Sequence, residues 1–165
     1  MKILYISHQK EKSGYGRFCR EFLKSLKTTN AEISSIAISL GKASSFKDET
    51  ENNYIGSPDL VIQNVLPHFM SKGNFKCVGT AILESSDVKY NYWNQYLQML
   101  DTVIYPHYPL KLFTNEIEIP TAINLNIKNI PEMNIQEIDG TYKFYWISEL
   151  SKRKNLTGLI KAYFS

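Results

Sequence analysis

The chain reads as an α/β protein with a Rossmann-like, mostly parallel sheet flanked by helices. Three observations predict this. Short, nearly continuous apolar runs recur along the sequence, as expected of strands covered on both faces. Segments with helical apolar spacing fall between them, and such alternation implies a layered sheet joined by right-handed crossovers. The first apolar run opens into Lys12-Ser-Gly-Tyr-Gly-Arg17 ahead of a helix, where sheets of this kind meet their ligands.

Lys2–Ser7 is the first strand, followed by a polar loop from His8 through Gly16. An amphipathic helix comes next, with Phe18, Cys19, Phe22, Leu23 and Leu26 on one face and Arg17, Arg20, Lys24 and Lys27 on the other. Ile33–Leu40 is the second strand, and Gly41–Ser57, polar and without period, is a surface loop. Pro58–Val65 and Phe75–Leu83 are the third and fourth strands. Trp93, Tyr96, Leu97 and Leu100 sit at helical spacing before a buried strand, Asp101–Tyr105, and a last short one, Ile117–Pro120. These elements define a first domain over residues 1–123, with its crevice at Ser13–Arg17, Glu84–Ser85 and Pro106–Tyr108. Residues 124–141 are polar, punctuated by Pro131 and Gly140, and read as a linker. Residues 142–165 open a second α/β unit: a strand over Tyr142–Ile147, a basic loop over Ser148–Lys154 and a helix. A strand and helix alone cannot bury their apolar faces. The unit is therefore expected to pack onto the first domain, pair with another chain or be disordered, and the chain to be a piece of something larger.

Composition narrows the class. The 165 residues are 43% hydrophobic and 21% charged, ordinary for a globular protein. A net charge of +3 suits a phosphate-bearing ligand and falls short of a dedicated nucleic-acid binder, so no nucleic-acid partner is expected. No stretch reaches transmembrane length and no signal peptide is evident, so the expected location is cytoplasmic. Peripheral membrane contact through the Arg17/Arg20/Lys24/Lys27 face is the lesser reading, since a helix turning Phe22 and Leu26 inward is more simply a domain helix. Cys19 and Cys77 lack metal or redox spacing and read as small core residues; no metal site is expected.

Strand ends are the candidate sites. Gly14 and Gly16 let the backbone approach a ligand, but the full dinucleotide fingerprint is absent because Cys19 holds its third place. A structural turn is the competing reading. His8 closes the first strand at the crevice, where it would meet an acceptor hydroxyl, and His68 and His107 read equally as partly buried loop residues. Ser151-Lys-Arg-Lys-Asn155 packs three cations against a helix start, which favours an anion; a solvated basic turn is the bland alternative.

The order of these pieces resembles family 4 (group 1) glycosyltransferases, which have the two-domain GT-B fold. Met-Lys-Ile-Leu-Tyr-Ile-Ser7 with Ser13-Gly-Tyr-Gly-Arg17 looks like that family's first strand and glycine-rich loop. Pro58-Asp-Leu-Val-Ile62 is similar to its third strand. Gly79-Thr-Ala-Ile-Leu-Glu-Ser85, Trp93 and Asp101-Thr-Val-Ile-Tyr-Pro106 resemble a subgroup. Ile119-Pro-Thr-Ala-Ile-Asn124 is placed like the segment leaving the first domain, and Arg153-Lys-Asn-Leu-Thr-Gly-Leu-Ile-Lys-Ala-Tyr-Phe164 looks like the first helix of the second.

The resemblance implies a retaining, hexosyltransferase-type enzyme that moves a sugar from a nucleoside-diphosphate sugar to a glycan or other hydroxyl-bearing acceptor. No tightly bound cofactor is implied; the sugar nucleotide is a substrate. Lys154 matches the family's diphosphate-binding Lys, with Arg153 beside it, and these would stabilise the leaving diphosphate together with the amides of Gly14, Tyr15 and Gly16. Glu84 and Lys154 are the expected catalytic groups, and His8, Ser85 and His107 would line the substrate. Glu149 stands where the family carries Arg, and its charge would repel a diphosphate. The family's remaining donor contacts lie further along than Ser165, so the chain is expected to be inactive by itself. The competing class is a non-catalytic Rossmann-like module that binds a nucleotide or phosphorylated ligand.

Overall fold

A computed structural model describes residues 1–39, 56–82, 92–106, 116–120 and 152–164. Contacts divide the chain into two compact units, Met1–Ile127 and Lys128–Ser165, each described by itself.

Among the described residues the first unit is built on six parallel strands: β1 (Lys2–Ser7), β2 (Glu32–Ala37), β3 (Leu60–Asn64), β4 (Lys76–Thr80), β5 (Thr102–Tyr105) and β6 (Glu116–Glu118). Their spatial order is β2-β1-β3-β4-β5-β6, so the chain moves one way from β1 to β2 and the opposite way from β3 onward. Right-handed crossovers that travel in opposite directions put their connecting segments on opposite faces. The packing obeys this. Helix α1 (Gly14–Lys27), between β1 and β2, lays Leu23 against Ile3, Tyr5 and Ile62. The other face carries Leu4, Val61, Cys77 and Val103 under Met70, Leu97 and Leu100, supplied by the β3–β4 and β4–β5 connections, the latter containing the short helix α2 (Asn94–Gln98). The sheet is thus wound from both sides, and the α/β, Rossmann-like class expected from the sequence is what the chain adopts.

The strands fall where the apolar runs placed them: β1 keeps its expected bounds, β2 and β6 begin one residue earlier, and β2 to β6 otherwise start or end one to three residues inside the expected runs. Helix α1 begins earlier than expected. Ser13 caps it, its Oγ accepting from Gly16 N at 3.2 Å, so Gly14 and Gly16 form its first turn instead of the preceding loop. Arg20 also departs from its expected place on a solvated face. Its Nη1 donates to the carbonyls of Gln9 and Glu11, both at 2.7 Å, and so fastens the loop after β1 to the helix. Cys19 and Cys77 are free and buried.

Two aspartates anchor the amino edge of the sheet in the same way. Asp59, just before β3, accepts from Lys2 N while its own amide donates to Lys2 O. Asp101, just before β5, accepts from Cys77 N at 2.6 Å, donates its amide to Cys77 O and pairs with Lys72. The backbone bond to Cys77, with Lys72 second, holds the Asp101 carboxyl below the usual carboxylate range.

In the second unit, Lys152–Lys154 forms a 3-10 turn and α3 spans Leu156–Phe164. Asn155, at φ 50°, accepts from Gly158 N through Oδ1 at 3.2 Å, and a Cβ on Gly158 would meet that side chain at 2.4 Å. The Asn-Leu-Thr-Gly spacing is therefore a helix start in its own right. Expected strand 142–147, linker 124–141, Glu149 and most of loop 41–57 lie outside the described residues.

Tyr5 joins the layers of the first unit: its hydroxyl donates to Cys19 O and accepts from Asn64 Nδ2, both at 3.0 Å. Tyr5→Phe removes both bonds and strands a buried amide, so it is expected to lower unfolding free energy by about 1–3 kcal/mol. Urea denaturation followed by circular dichroism should show an earlier midpoint at unchanged slope; an unchanged midpoint would refute this role.

Candidate functional site

In a sheet of this order the crevice opens at the carboxyl ends of β1 and β3, where the winding reverses. The residues there are polar. Ser7, Asn64, Thr80 and Tyr105 are the last residues of β1, β3, β4 and β5, and each is at most 2% exposed. Ser7 pairs with Asn64, and Gln63 with Gly79, which brings Asn64 level with Thr80. Ser7, Asn64 and Thr80 therefore share one face in a row across three adjacent strands. Ser7 Oγ, Asn64 Oδ1, Thr80 Oγ1 and the Tyr105 hydroxyl complete no hydrogen bond, although the Tyr5 hydroxyl lies beside Ser7. Burial pushes the Tyr105 phenol up, with Glu116 adding to the shift.

His8 stands at the reversal itself. It is fully buried, its Nε2 accepts from Leu66 N at 3.1 Å, and its own amide reaches Asn64 O at 3.4 Å. The imidazole thus ties the exit of β1 to the exit of β3. Because Nε2 accepts, the neutral ring carries its proton on Nδ1, which faces the Ile38 backbone without completing a bond. Burial lowers the His8 pKa, opposed by the Ile38 carbonyl and Glu11. In this arrangement His8 positions the crevice wall; the nitrogen on its Leu66 side is already engaged. Gln9 follows, 1% exposed, with neither end of its amide bonded.

The glycine pair divides in two. A Cβ on Gly16 would lie 2.0 Å from Glu11 O, so glycine is needed there for the loop to close on the helix. Gly14 has nothing within 4 Å of a built Cβ and faces open space. The Gly16 amide is engaged by Ser13, leaving Gly14 and Tyr15 at the open end of the turn. Tyr15 is half-buried against His8, and burial raises its phenol well above the ordinary value. Cys19, at the third place of the glycine pattern, is fully buried with Sγ 3.6 Å from Asn64 O, and burial pushes its thiol up to about 12. A small, inert residue is what close helix–sheet approach requires.

Rings continue the wall. His8 lies 5.6 Å from Tyr15 and 5.8 Å from Phe69; Phe69 meets His68 at 4.2 Å, and His68 meets Tyr92 and Trp93, each at 6.3 Å. Sequence reading missed this strip, because its members come from three separate stretches of the chain with no shared spacing. His68 is half-buried within it, as the reading of a loop histidine allowed.

In the second unit Lys152 and Lys154 are exposed in the turn that leads into α3, and Arg153 lies between them. Glu84, Ser85 and His107 lie outside the described residues. Among the described residues no group of His, Cys, Asp and Glu is arranged to hold a metal ion, and no helix is long and apolar enough to cross a membrane. No protein-family profile, curated protein or solved structure matches the chain.

Two predictions follow from this geometry. Gly16→Ala should destabilise the chain by about 1–3 kcal/mol through overpacking against backbone, whereas Gly14→Ala should be neutral or stabilising by up to about 1 kcal/mol. Chemical denaturation of the pair tests it; equal effects would contradict the division. For His8, the folded pKa lies below the unfolded value of about 6.5, so the unfolded chain takes up the proton first. Stability present above about pH 6.5 should fall as pH drops through that value. His8→Gln, which keeps an acceptor for Leu66 N, should flatten this part of the profile; an unchanged slope would show that His8 does not carry it.

Proposed function

We propose that the chain is part of a retaining glycosyltransferase that moves a sugar from a nucleoside-diphosphate sugar to a hydroxyl-bearing acceptor, with Met1–Ile127 on the acceptor side. The observation that supports this reading most is the reversal of strand order beside a buried, polar carboxyl edge, with the open first turn of α1 leading into it. Such a crevice can enclose a polar ligand away from bulk water, where fixed dipoles act strongly on developing charge. Within the second unit, Lys152, Arg153 and Lys154 are cations suited to a diphosphate, and within the first, the amides of Gly14 and Tyr15 at the open first turn of α1 suit an oxyanion. Glu84 and Ser85 complete the proposal as groups that meet the sugar or the acceptor.

A second reading, a non-catalytic module for a nucleotide or phosphorylated ligand, is favoured by one observation: Gly16 is explained by packing against Glu11 alone. The two readings part on the sugar. Calorimetry against uridine, guanosine and adenosine diphosphates and their sugar conjugates should give weak binding by the transferase, near a millimolar Kd or about 4 kcal/mol, because exposed cations contribute little each. Binding should require the sugar, weaken with added salt and fall in the Lys152→Ala/Lys154→Ala variant. Equal affinity for the sugar-free diphosphates would support the module. Absence of binding to any member of the panel would overturn both.

A further inference from the structure

We propose that the strip of rings at the carboxyl edge of the first unit binds the apolar face of a pyranose, which makes the acceptor a carbohydrate. Three segments converge to build it: His8 and Tyr15 after β1, His68 and Phe69 after β3, and Tyr92 with Trp93 before α2. The ring contacts run without a break from the first turn of α1 to the start of α2, at centroid distances between 4.2 and 6.3 Å. Its outer members are uncovered: Tyr92 is 61% exposed and Phe69 47%. Its inner members, His68 and Trp93, are half-buried and nearly parallel, at 23°, and carry the outer ones. Large rings are normally buried, so two held open on a backing of two more form a surface suited to a partner.

The chemistry of the strip selects the partner. His68 Nδ1 is enclosed without a hydrogen bond, so that residue serves the strip by its ring face. Neighbouring rings meet at 42° to 76° apart from the His68–Trp93 pair, which offers single exposed facets and no stack of parallel plates. A pyranose suits single facets, because one face of the puckered ring presents C–H groups while its rim carries hydroxyls. A nucleobase would be read by stacking with donors at its edge, and a nucleic-acid strand by cations tracking its phosphates. The ring set contains no Lys or Arg to track phosphates, and its tilted facets leave no slot between parallel rings for a base. Tyr92 adds a phenol at the exposed margin, where a sugar hydroxyl would lie.

This inference rests on the transferase reading for the role of acceptor, and stands apart from it for the binding itself. The test therefore uses no nucleotide. The chain is titrated with methyl glycosides of glucose, galactose, mannose and N-acetylglucosamine and with their linear trisaccharides, by calorimetry and saturation-transfer NMR. The expected result is binding of at least one trisaccharide, with saturation strongest on the C–H protons of one sugar face. Tyr92→Ala and Phe69→Ala should each weaken it by roughly tenfold, the effect of losing one ring contact, while Tyr92→Phe should retain it. Both side chains are exposed, so the variants keep the fold. Absence of saccharide binding, binding indifferent to both alanine variants, or uridine or adenosine held by the strip in place of sugars would each overturn the proposal. Saccharide binding without any sugar-nucleotide binding would leave it standing and remove the transferase.

Discussion

Because β1 pairs with β2 on one side and with β3 on the other, the chain leaving β1 and the chain leaving β3 must turn in opposite directions. The carboxyl edge is left with a cleft that no further strand can close. Side chains close its floor. His8 fills the reversal and accepts from Leu66 N, so the two departing loops are held by one imidazole. Arg20 then draws the first of those loops down onto α1 through the carbonyls of Gln9 and Glu11. The same loop presses on Gly16, which is why a side chain cannot be added there. The tight turn, the glycine and the half-buried arginine are one consequence of that pairing.

The amino edge solves a simpler problem. Asp59 and Asp101 each precede a strand and each exchange two bonds with the start of the neighbouring strand, Lys2 and Cys77 respectively. The Asp-x-Val-Ile spelling shared by residues 59–62 and 101–104 is thus a device for setting register. A carboxylate that receives a backbone amide at a strand end replaces a ladder bond that the edge would otherwise lack. These motifs also carried part of the resemblance to glycosyltransferases. They are accounted for by sheet assembly, so the weight of any functional reading moves to the opposite edge.

Strand positions were legible because burial on both faces forces continuous apolar runs, and β1 was read to its last residue. The amphipathic face of α1 was legible for the same reason. What escaped was anything set by long-range geometry. Arg20 looked like the rest of a basic face, since its carbonyl partners lie nine and eleven residues upstream in a loop without periodicity. That His8 follows the end of β1 was legible, yet its engagement by Leu66 depends on a partner 58 residues away. The strip of rings was invisible for the same reason, its parts lying near residues 8, 68 and 92. The glycine pair looked uniform in sequence, and only the nearness of Glu11 separates Gly16 from Gly14.

One asymmetry bears on why the carboxyl edge is built as it is. Gln9, Asn64, His68, Thr80 and Tyr105 hold buried polar atoms that complete no hydrogen bond among the described residues, as do Ser7 and His8 apart from their approaches to Tyr5 and Ile38, and all lie at the carboxyl ends of strands or just past them. At the other edge, Asp59 and Asp101 are bonded. An unsatisfied buried group costs about 1–3 kcal/mol, against about 5–15 kcal/mol for the stability of a whole domain. Valine or alanine at Ser7 or Thr80 would remove that cost and suit a strand equally well. A fold under pressure for stability alone has no reason to collect such groups at one end. Sequences break local rules of this kind mainly at sites that act on something else. The concentration of polar ends at the reversal, beside uncovered rings and the open turn of α1, is the structural feature on which both proposals for this edge rest.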